Sequence, residues 1–527
     1  MWSCALAPLR SEPKQDARQT VLFCDVMTML ATAKAEALMA GLLRLKGYRP
    51  VVMLETSSPT IERLFRASVP DTEFVYLSDI SSAVFVQSSV EAERLMAITQ
   101  DIQDLVTLEI DGYRIGRNVQ SLVVRRLRVG RLDNNDPAHR EETLKTLARS
   151  LSVKAFVEEI LARHKPSKAI FVERGYTPAG EVFDGCLVHG IDAIQWCGAP
   201  QSDCLLYRRY NLSTRSEHTL KLSDEMWADM LNMPWNDMDS QDVVNTIAKN
   251  YASGAWYNRQ QLQNGKAVID AVAVRQKLGL DPSKKTAVIF AHILYDATFF
   301  YGESVFDDYE QWLVESVRCA IDNPHLNWVV KVHPVNVWRS KMDGADMEQL
   351  EAITLRNHFG QLPDHITLMA ADTDINTFSL FEVMDYGLTV RGTIGMELPC
   401  FGIPVVTAGT GRYSGCGFTI DPMTRDGFRE TLLKLHEVAP LADNVVRLAR
   451  LHYYGAMRLR PVPMQSFVLD FDARTFGTAA LAQNVSLKMR ADAGLLDTAD
   501  IGRLVRWVED GKPAELLARN IDKREMA

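Results

Sequence analysis

The chain has 527 residues, and at roughly 150 residues per domain this length suggests three or four domains, although two larger ones fit as well. The hydrophobic fraction of 47% and the charged fraction of 24% exclude a wholly disordered, collagenous or fibrous chain. A net charge of −9 lacks the electrostatic signature of a nucleic-acid-binding protein, so we expect no nucleic-acid partner.

The N-terminal residues are too polar for a signal peptide, and no uninterrupted apolar run reaches the roughly 18 residues of a transmembrane helix. The eight cysteines form no CxxC pair, which argues against a zinc site. These features predict a cytoplasmic protein in a reducing compartment.

Short apolar runs alternate with amphipathic segments from residue 20 onwards, after what we expect to be a loose leader at residues 1–18. This alternation is typical of a parallel sheet with helical crossovers. In the first half, the predicted strands are 20–26, 50–55, 168–173 and 191–196, and the predicted helices are 28–48, 141–165 and 178–190.

Residues 211–264 break this pattern, and we interpret them as a helical insertion and linker. A cluster of Gly, Asp, Pro and Ser at 278–285 then precedes a second series of strands and helices. Its predicted strands are 286–293, 327–334, 365–370, 387–392 and 403–409, and its predicted helices are 309–323, 375–385, 393–402, two within 427–460, and 498–511 in the tail.

These elements predict an α/β fold of two tandem Rossmann-like domains facing a central cleft, with a C-terminal helical extension. We place the first domain at 19–277, including the insertion, the second at 278–460, and the extension at 461–527. Because ligands of open parallel sheets bind beyond the carboxyl ends of the strands, chemistry is expected in the cleft.

The segment 389–419 is dense in glycine and combines a strand, a glycine turn, a short helix and another strand. A helix start of this kind predicts an anion site at which backbone amides point at a phosphate. The residues of the predicted site are Arg391, Gly392, Thr393 and Gly395, with Glu397 for ribose hydroxyls and Arg412 and Tyr413 for phosphate and base. A solvated helix carboxylate is the alternative interpretation of Glu397.

Two further strands of the second half end near residues that are candidates for ligand binding or for acid–base catalysis. Lys331 lies within one strand, which ends at His333 and Pro334, and the proline fixes the turn that presents the imidazole. His292 and Asp296 follow the first strand of this half and are candidates for deprotonating an acceptor. A structural turn histidine and a buried histidine are the alternatives for His333 and His292.

Three charged residues of the first half cluster around another strand end. Glu173 and Glu181 are candidate general bases, with helix-surface carboxylates as the alternative. Arg174 and Gly175 follow the strand and precede a helix, so we assign them to the same side of the cleft.

Residues 114–131 contain six arginines and no acid. The stretch predicts either a solvated helix face or a site for an anionic acceptor or a membrane surface, and we assign Arg125 and Arg126 to such a site.

The second half resembles the capsule polysaccharide biosynthesis family, which includes Kdo transferases, in its motifs at 327–334 and 387–413. It is more distantly similar to CDP-glycerol glycerophosphotransferases and to bacterial sialyltransferases with a His-Pro motif. In the first half, the similar segments are 111–130 and 174–192, so the resemblance covers most of residues 20–420.

The resemblance implies a GT-B glycosyltransferase whose first domain binds the acceptor and whose second binds the nucleotide donor. In that family, the His-Pro histidine and the helix start hold the nucleotide phosphates, which carries over to His333, Thr393, Gly395 and Glu397. The chain departs from the pattern at residues 391–393, where Arg-Gly-Thr replaces the Ser-Ser or Ser-Thr pair of many relatives.

The function that this resemblance implies is sugar transfer from a CMP-, CDP-, UDP- or GDP-linked donor to a glycan or lipid-linked acceptor in bacterial capsule or lipopolysaccharide synthesis. No bound metal or other cofactor is expected, and the DxD-like triplets at 237–239, 372–374 and 470–472 receive little weight. Peripheral contact with the inner membrane or with other synthesis enzymes is an open alternative. A nucleotide-sugar epimerase and a non-catalytic subunit of a synthesis complex are the alternative functions.

Overall fold

The structure of the protein is a computed structural model. It describes residues 2–11, 19–26, 29–201, 203–253, 263, 265–337, 348–470, 484–519 and 521. Two sheets built mainly of parallel strands, one in each half of the chain, organise these residues.

The first sheet has the strand order β12-β6-β5-β4-β1-β2-β3. Strands β1 to β5 run parallel to one another. Strand β6 is antiparallel to β5, and β12 is antiparallel to β6. Numbered along the whole chain, its strands are β1 Gln19–Cys24, β2 Tyr48–Leu54, β3 Glu73–Tyr76, β4 Pro166–Phe171, β5 Asp192–Gly198, β6 Cys204–Tyr210 and β12 Val462–Pro463.

The second sheet is entirely parallel, in the order β11-β10-β7-β8-β9. Its strands are β7 Thr286–Phe290, β8 Asn327–Lys331, β9 Ile366–Met369, β10 Tyr386–Thr389 and β11 Val405–Thr407. A separate antiparallel pair consists of β13 Phe467–Asp470 and β14 Asn484–Leu487.

Both halves share one topology. The five parallel strands of each follow the order third, second, first, fourth, fifth, which is the order of a Rossmann-like half. This confirms the predicted α/β fold of two Rossmann-like domains. It also fixes where ligands are expected, because the strand order reverses between β1 and β4 in the first domain and between β7 and β10 in the second.

Helices cover the sheets. They are α1 Trp2–Ser11, α2 Leu30–Leu45, α3 Pro59–Ser68, α4 Ser82–Ile98, α5 Ile115–Leu127, α6 Pro137–His164, α7 Ala179–Val188, α8 Asp224–Leu231, α9 Asp237–Ala252, α10 Ala271–Leu278, α11 Tyr309–Asp322, α12 Leu350–Phe359, α13 Ile394–Glu397, α14 Arg425–Leu433, α15 Asp443–Tyr454 and α16 Ile501–Asp510. Short 3₁₀ segments lie at Leu77–Asp79, Ile102–Thr107, Thr377–Glu382, Leu398–Phe401, Leu435–Glu437 and Ala493–Asp497, and a π turn at Gly455–Leu459 extends α15.

The expectation of a loose leader at residues 1–18 is wrong for residues 2–11, which form α1. Leu6 and Leu9 are three positions apart on one helical face and are fully buried. They pack with the Ala- and Leu-rich α2, and a Cβ at Gly41 would lie 2.8 Å from the Leu9 side chain. Burial of these two leucines favours the helix over a solvated segment.

The helical insertion predicted at 211–264 contains α8 and α9, but these helices pack on α15 of the second domain. Met230 and Val243 are buried in the same core as Met396. This packing associates the insertion with the second domain, whereas the sequence pattern places it in the first.

The C-terminal extension returns to the first domain. Strand β12 joins the edge of the first sheet beside β6, and α16 packs on α2. Leu504 and Val505 of α16 are at most 2% exposed because they complete the core on that face of the sheet.

Candidate functional site

The candidate site lies where the strand order of the second sheet reverses. His292 follows β7, and its Nε2 accepts a hydrogen bond from the amide of Val390, which follows β10 (3.1 Å). The same atom lies 3.0 Å from Oγ1 of Thr389, the last residue of β10. The His292 ring stacks on Tyr309 with a centroid distance of 4.5 Å. These contacts fix the imidazole at the crevice that the topology predicts.

Two adjoining cavities open at this crevice, and His292, His333, Gly392 and Thr393 form the wall between them. We name them the Lys331 pocket, of about 130 Å³, and the Arg391 pocket, of about 310 Å³. The other residues that line the Arg391 pocket are His218, Ile293, Asp296, Ala297, Tyr301, Tyr309, Val335 and Arg412.

Two buried arginines give the Arg391 pocket its positive charge. Arg391 is 4% exposed, and Nη2 donates to the hydroxyl of Ser304 and to the carbonyl of Glu303. Its Nε and Nη1 are buried and have no hydrogen-bond partner among the residues that the structure describes. Arg412 is 9% exposed, contacts His218 through Nη2, and likewise has an unpartnered Nε. Buried donors without partners are costly, so an anionic ligand would stabilise this arrangement.

The histidines of the pocket do not add to this charge. Burial lowers the pKa of His292 and of His218 well below the usual range, and the nearby guanidinium groups of Arg391 and Arg412 lower both further. Because Nε2 of His292 accepts the Val390 amide, the neutral ring carries its proton on Nδ1. The two imidazoles are therefore neutral at physiological pH, and the arginines hold the charge.

The predicted glycine turn is present, but only some of its backbone amides are without an acceptor inside the protein. The amide of Gly392 donates to Thr389 Oγ1 (3.0 Å), and the amide of Gly395 donates to the Gly392 carbonyl (3.1 Å). The amides of Thr393 and Ile394, which lie between these two, have no acceptor within the part of the chain that the structure describes. Thr393 also lines both pockets.

Lys331 and His333, which we assign to the donor nucleotide, both line the Lys331 pocket. Lys331 is 4% exposed at the end of β8, and burial lowers its pKa to about 7, with a smaller contribution from Lys266. His333 Nδ1 accepts the amide of Val335 (3.2 Å), which fixes the orientation of its ring in the pocket wall. Pro334 follows in the wall of the same pocket.

Two predicted nucleotide contacts are used inside the protein instead. Glu397 is fully buried and accepts a hydrogen bond from Tyr251 of α9; burial raises its pKa to about 7. Tyr413 is 1% exposed and donates to the carbonyl of Gly392 (2.7 Å), so its ring is not free to stack on a base. A Cβ at Gly395 would lie 1.9 Å from the Tyr413 hydroxyl. Glycine is therefore needed here for packing.

Across the domain boundary, the loop after β4 brings Glu173 to the matching crevice of the first domain. Glu173 is partly exposed and accepts the amides of Arg174 (2.7 Å) and Gly175 (3.1 Å). Burial raises its pKa, although these amides and Arg125 oppose the rise. A Cβ at Gly175 would lie 2.3 Å from the ring of Phe300, so this loop touches the loop of the second domain that leads to Tyr301.

Asp296 lies on the second-domain side of the same contact and lines the Arg391 pocket. Its Oδ1 accepts the Tyr176 hydroxyl at 3.0 Å and lies 3.6 Å from Arg125 Nη1. Arg125 also lies over the Tyr176 ring, 4.8 Å from its centroid. Arg125 is thus placed at the rim of the cleft, as predicted for the acceptor side.

Burial contradicts two assignments of the first half. Glu181 is fully buried and accepts the hydroxyls of Ser150 and Thr177. Arg174 is fully buried and donates to the side chain of Gln195 and to two carbonyls of the segment 215–217. Arg126 is half exposed and forms an ion pair with Glu142 of α6, and its assignment to an anion site stays a prediction.

The arginine-rich stretch forms neither a bare solvated face nor an open anion site. Its guanidinium groups are engaged with acids, in part across the domain boundary. The pairs are Arg114 with Asp184 (2.8 Å), Arg117 with Glu303 (2.8 Å), Arg125 with Asp296 (3.6 Å), Arg126 with Glu142 (2.6 Å) and Arg131 with Asp308 (3.2 Å). The stretch therefore connects the two domains.

No protein-family model matches the chain, and no curated protein matches it. Among solved structures, it is similar to the beta Kdo 2,4 transferase KpsC of Thermosulfurimonas dismutans, with 13% identity over 58% of this chain and 82% of that chain and a TM-score of 0.33. The UDP-GlcNAc 2-epimerase of Neisseria meningitidis is similar at 11% identity over 82% of this chain and 94% of that chain, with a TM-score of 0.26. A glycosyltransferase of Rickettsia africae is similar at 8% identity over 84% of this chain and 94% of that chain, with a TM-score of 0.27.

The described residues lack two features. No helix among them is long and apolar enough to span a bilayer. They also contain no group of three or more His, Cys, Asp or Glu side chains that could hold a metal ion.

Sequence reasoning missed several residues of the cleft. His218 lies in the stretch interpreted as an insertion, where no periodicity marks it. Thr389 is the last residue of a strand that was predicted, and the rule that ligands bind at strand ends could have selected it. Asp25 follows β1 at the first-domain crevice, is 2% exposed, and could have been found by the same rule.

Proposed function

We propose that the protein is a glycosyltransferase that moves a sugar from a nucleotide-sugar donor to a hydroxyl of a glycan or lipid-linked acceptor, in the synthesis of a bacterial surface polysaccharide. The observation that carries this proposal is the Arg391 guanidinium, buried at the switch point of a Rossmann-like sheet with two nitrogens unpartnered. A phosphate group is an anion that satisfies several such donors at once.

On this proposal, the second domain stabilises the departing nucleotide. The bond between the sugar carbon and the phosphate oxygen breaks, and the nucleotide leaves with the electron pair. Arg391, Arg412 and the amides of Thr393 and Ile394 would receive its negative charge. These fixed donors supply the charge neutralisation that a divalent ion provides in other transferases.

The first domain would supply the general base. Glu173 takes the proton of the acceptor hydroxyl as its oxygen forms the new bond to the sugar carbon. The raised pKa of Glu173 suits this role. Glu173 lies close enough to Tyr301 to help raise the pKa of its hydroxyl, and Tyr301 lines the Arg391 pocket. Asp296 is a weaker candidate because Tyr176 and Arg125 already engage its carboxylate.

Calorimetric titration of CMP, CDP, UDP and GDP into the full-length protein tests the donor site. We expect at least one nucleotide to bind, and Arg391→Met to weaken it by about 10- to 100-fold, as expected for charged hydrogen bonds. Arg429→Met is the matched control, because Arg429 is half exposed and paired with Glu315 on the surface. Binding of no nucleotide, or equal affinity in the Arg391 variant, would contradict the proposal.

Turnover assays separate transfer from its alternatives. Release of nucleotide that depends on an added glycan or lipid-linked acceptor supports a transferase. Conversion of the nucleotide sugar without any acceptor would instead indicate an epimerase. Tight nucleotide binding without turnover on a broad acceptor panel would indicate a non-catalytic subunit.

A further inference from the structure

Both pockets at the crevice contain buried basic side chains that protein groups leave incompletely partnered. Arg391 and Arg412 line the larger pocket, and Lys331 lines the smaller one. The two cavities adjoin, because His292, His333, Gly392 and Thr393 line both. A single ligand with two anionic groups therefore suits the pair of cavities.

Lys331 is the feature that the nucleotide-phosphate assignment alone does not explain. Its side chain is 4% exposed, and no hydrogen-bond acceptor or acid partners Nζ among the residues that the structure describes. None of the described residues that line the Lys331 pocket is a carboxylate. A buried ammonium without a counter-charge is costly, so the fold tolerates Lys331 most readily if a ligand supplies the negative charge.

Other polar groups of the Lys331 pocket already have partners. Gln263 Nε2 donates to Thr377 Oγ1 (3.0 Å), and the amide of Thr377 donates back to Gln263 Oε1 (3.0 Å). The Tyr251 hydroxyl donates to Glu397. Lys331 is thus the charged side chain in this pocket with hydrogen-bonding capacity to spare, beside the backbone amides of Thr393 and Ile394. The cavity of about 130 Å³ holds several water volumes of roughly 30 Å³, enough for a phosphate or a carboxylate.

We propose that the donor carries two anionic groups, the first held by Arg391 in the larger pocket and the second by Lys331 in the smaller one. This inference rests on the proposed function and narrows its substrate class. A nucleoside diphosphate sugar has two phosphates, and a nucleoside monophosphate linked to a sugar acid has one phosphate and one carboxylate. A nucleoside monophosphate linked to a neutral sugar does not fit.

The first experiment compares CDP with CMP, and UDP with UMP, by calorimetry at constant pH and ionic strength. We expect the better diphosphate to bind at least about tenfold more tightly than its monophosphate, the gain of one charged hydrogen bond. Lys331→Met should remove that advantage while changing monophosphate affinity less than twofold. Lys285→Met is the control, because Lys285 precedes β7 at the opposite end of the same sheet and donates to Tyr386.

A second arm identifies a carboxylate as the source of the second charge. CMP-N-acetylneuraminate is compared with CMP, and a gain of about tenfold that Lys331→Met abolishes assigns the pocket to a sugar acid. If neither the diphosphates nor this sugar acid show a gain that depends on Lys331, the inference is overturned while nucleotide binding still stands. If no nucleotide binds at all, the proposed function itself fails. Thermal melting of Lys331→Met verifies folding, since the variant removes an unpaired buried charge.

Discussion

The two domains place opposite chemistry at equivalent positions of the same topology. In the first domain, the strands that flank the switch point are followed by acids, Asp25 after β1 and Glu173 after β4. In the second, the corresponding positions after β7 and β10 bear His292 and Arg391. Burial raises the pKa of Asp25 to about 8 and also raises that of Glu173, whereas it lowers the pKa of His292.

This difference shows that strand order determines where a site lies, whereas the residues after the strands determine its polarity. A transfer reaction needs both polarities on opposite sides of one sugar, a proton acceptor for the incoming hydroxyl and a positive site for the departing phosphate. The contact of Gly175 with Phe300 brings the two crevices together. The following predictions test this division of roles, in order of decreasing effect.

The largest effect is expected from Glu173→Gln. The glutamine side chain has the same size and keeps one oxygen that can accept the amides of Arg174 and Gly175, but it cannot take a proton. We expect kcat to fall by about 10²- to 10⁴-fold, the range of general-base catalysis. Nucleotide affinity, measured by calorimetry, should stay within a factor of two.

Asp296→Asn is the companion variant, because Asp296 lines the cleft from the second domain. A larger loss of kcat in Asp296→Asn than in Glu173→Gln would indicate that the general base lies in the second domain, which contradicts the proposed division of roles. A loss of nucleotide affinity in Glu173→Gln would also show that the two crevices do not divide their roles.

The second prediction concerns the stability of the positive crevice. Gly395→Ala would place its Cβ 1.9 Å from the Tyr413 hydroxyl, which anchors the Gly392 carbonyl. Overpacking of this kind costs about 1–3 kcal/mol. We expect the Tm of the second domain to fall by about 2–10 °C, measured by calorimetric melting.

Gly427→Ala is the control for this variant, because Gly427 lies in α14 and its Cβ would meet only the Thr424 hydroxyl at 3.1 Å and Pro422 at 4.0 Å. The helix propensity of alanine should leave the Tm unchanged or raise it. Equal melting of Gly395→Ala and wild type would show that Tyr413 has room to move, so that the turn is not fixed by packing.

The fold was predictable from sequence because most of the parallel strands contain a continuous apolar run, whereas the four-residue β3 was missed. The cleft of the second domain was predictable in part, since Lys331, His333 and Arg391 follow or end such runs and glycines mark the turn. Pattern alone does not tell whether a polar side chain faces the cleft or the interior. Glu397 and Tyr413 lie one turn or one loop further on, and partners distant in sequence engage them inside the protein.

The first domain was harder to predict for the same reason. Glu181 and Arg174 flank a strand end as Glu173 does, yet both are fully buried and hydrogen-bonded to other protein groups. The stretch 114–131 contains no acid, and the partners Asp184, Asp296 and Glu303 of its arginines lie far along the chain. Only the tertiary fold shows that these charges connect the domains.

The third prediction is a pH dependence that only the positive crevice should show. An anion favours protonated Lys331, whose pKa without ligand is about 7. Below pH 7 the lysine is already protonated and contributes no slope, whereas above pH 7 binding must take up a proton. Nucleotide affinity should therefore fall, by at most about tenfold per pH unit, between pH 7 and 9. Calorimetry of the same nucleotide across this range measures the slope.

Lys331→Met should remove this slope. Of the groups that face Lys331, His292 is neutral throughout, and Lys266 is occupied by the carbonyl of Ala371. The phosphate itself is ionised above a pKa of about 6, so it adds little slope in this range. A slope that persists in the variant would show that another group titrates, and Lys331 would lose its assigned role.

The smallest effect is expected where the two crevices are joined by an exposed ion pair. Arg117 Nη2 lies 2.8 Å from Glu303 Oε2, but the Glu303 side chain is 67% exposed and therefore well solvated. A double-mutant cycle of Arg117→Ala and Glu303→Ala should give a coupling of about 0.2–1 kcal/mol that shrinks in about 1 M salt. The activity of each variant should stay within about threefold, since Gly175 still packs on Phe300. If Arg117→Ala instead reduced kcat as strongly as Glu173→Gln, the Arg117–Glu303 ion pair, and not the packing of Gly175 on Phe300, would be what holds the two crevices together.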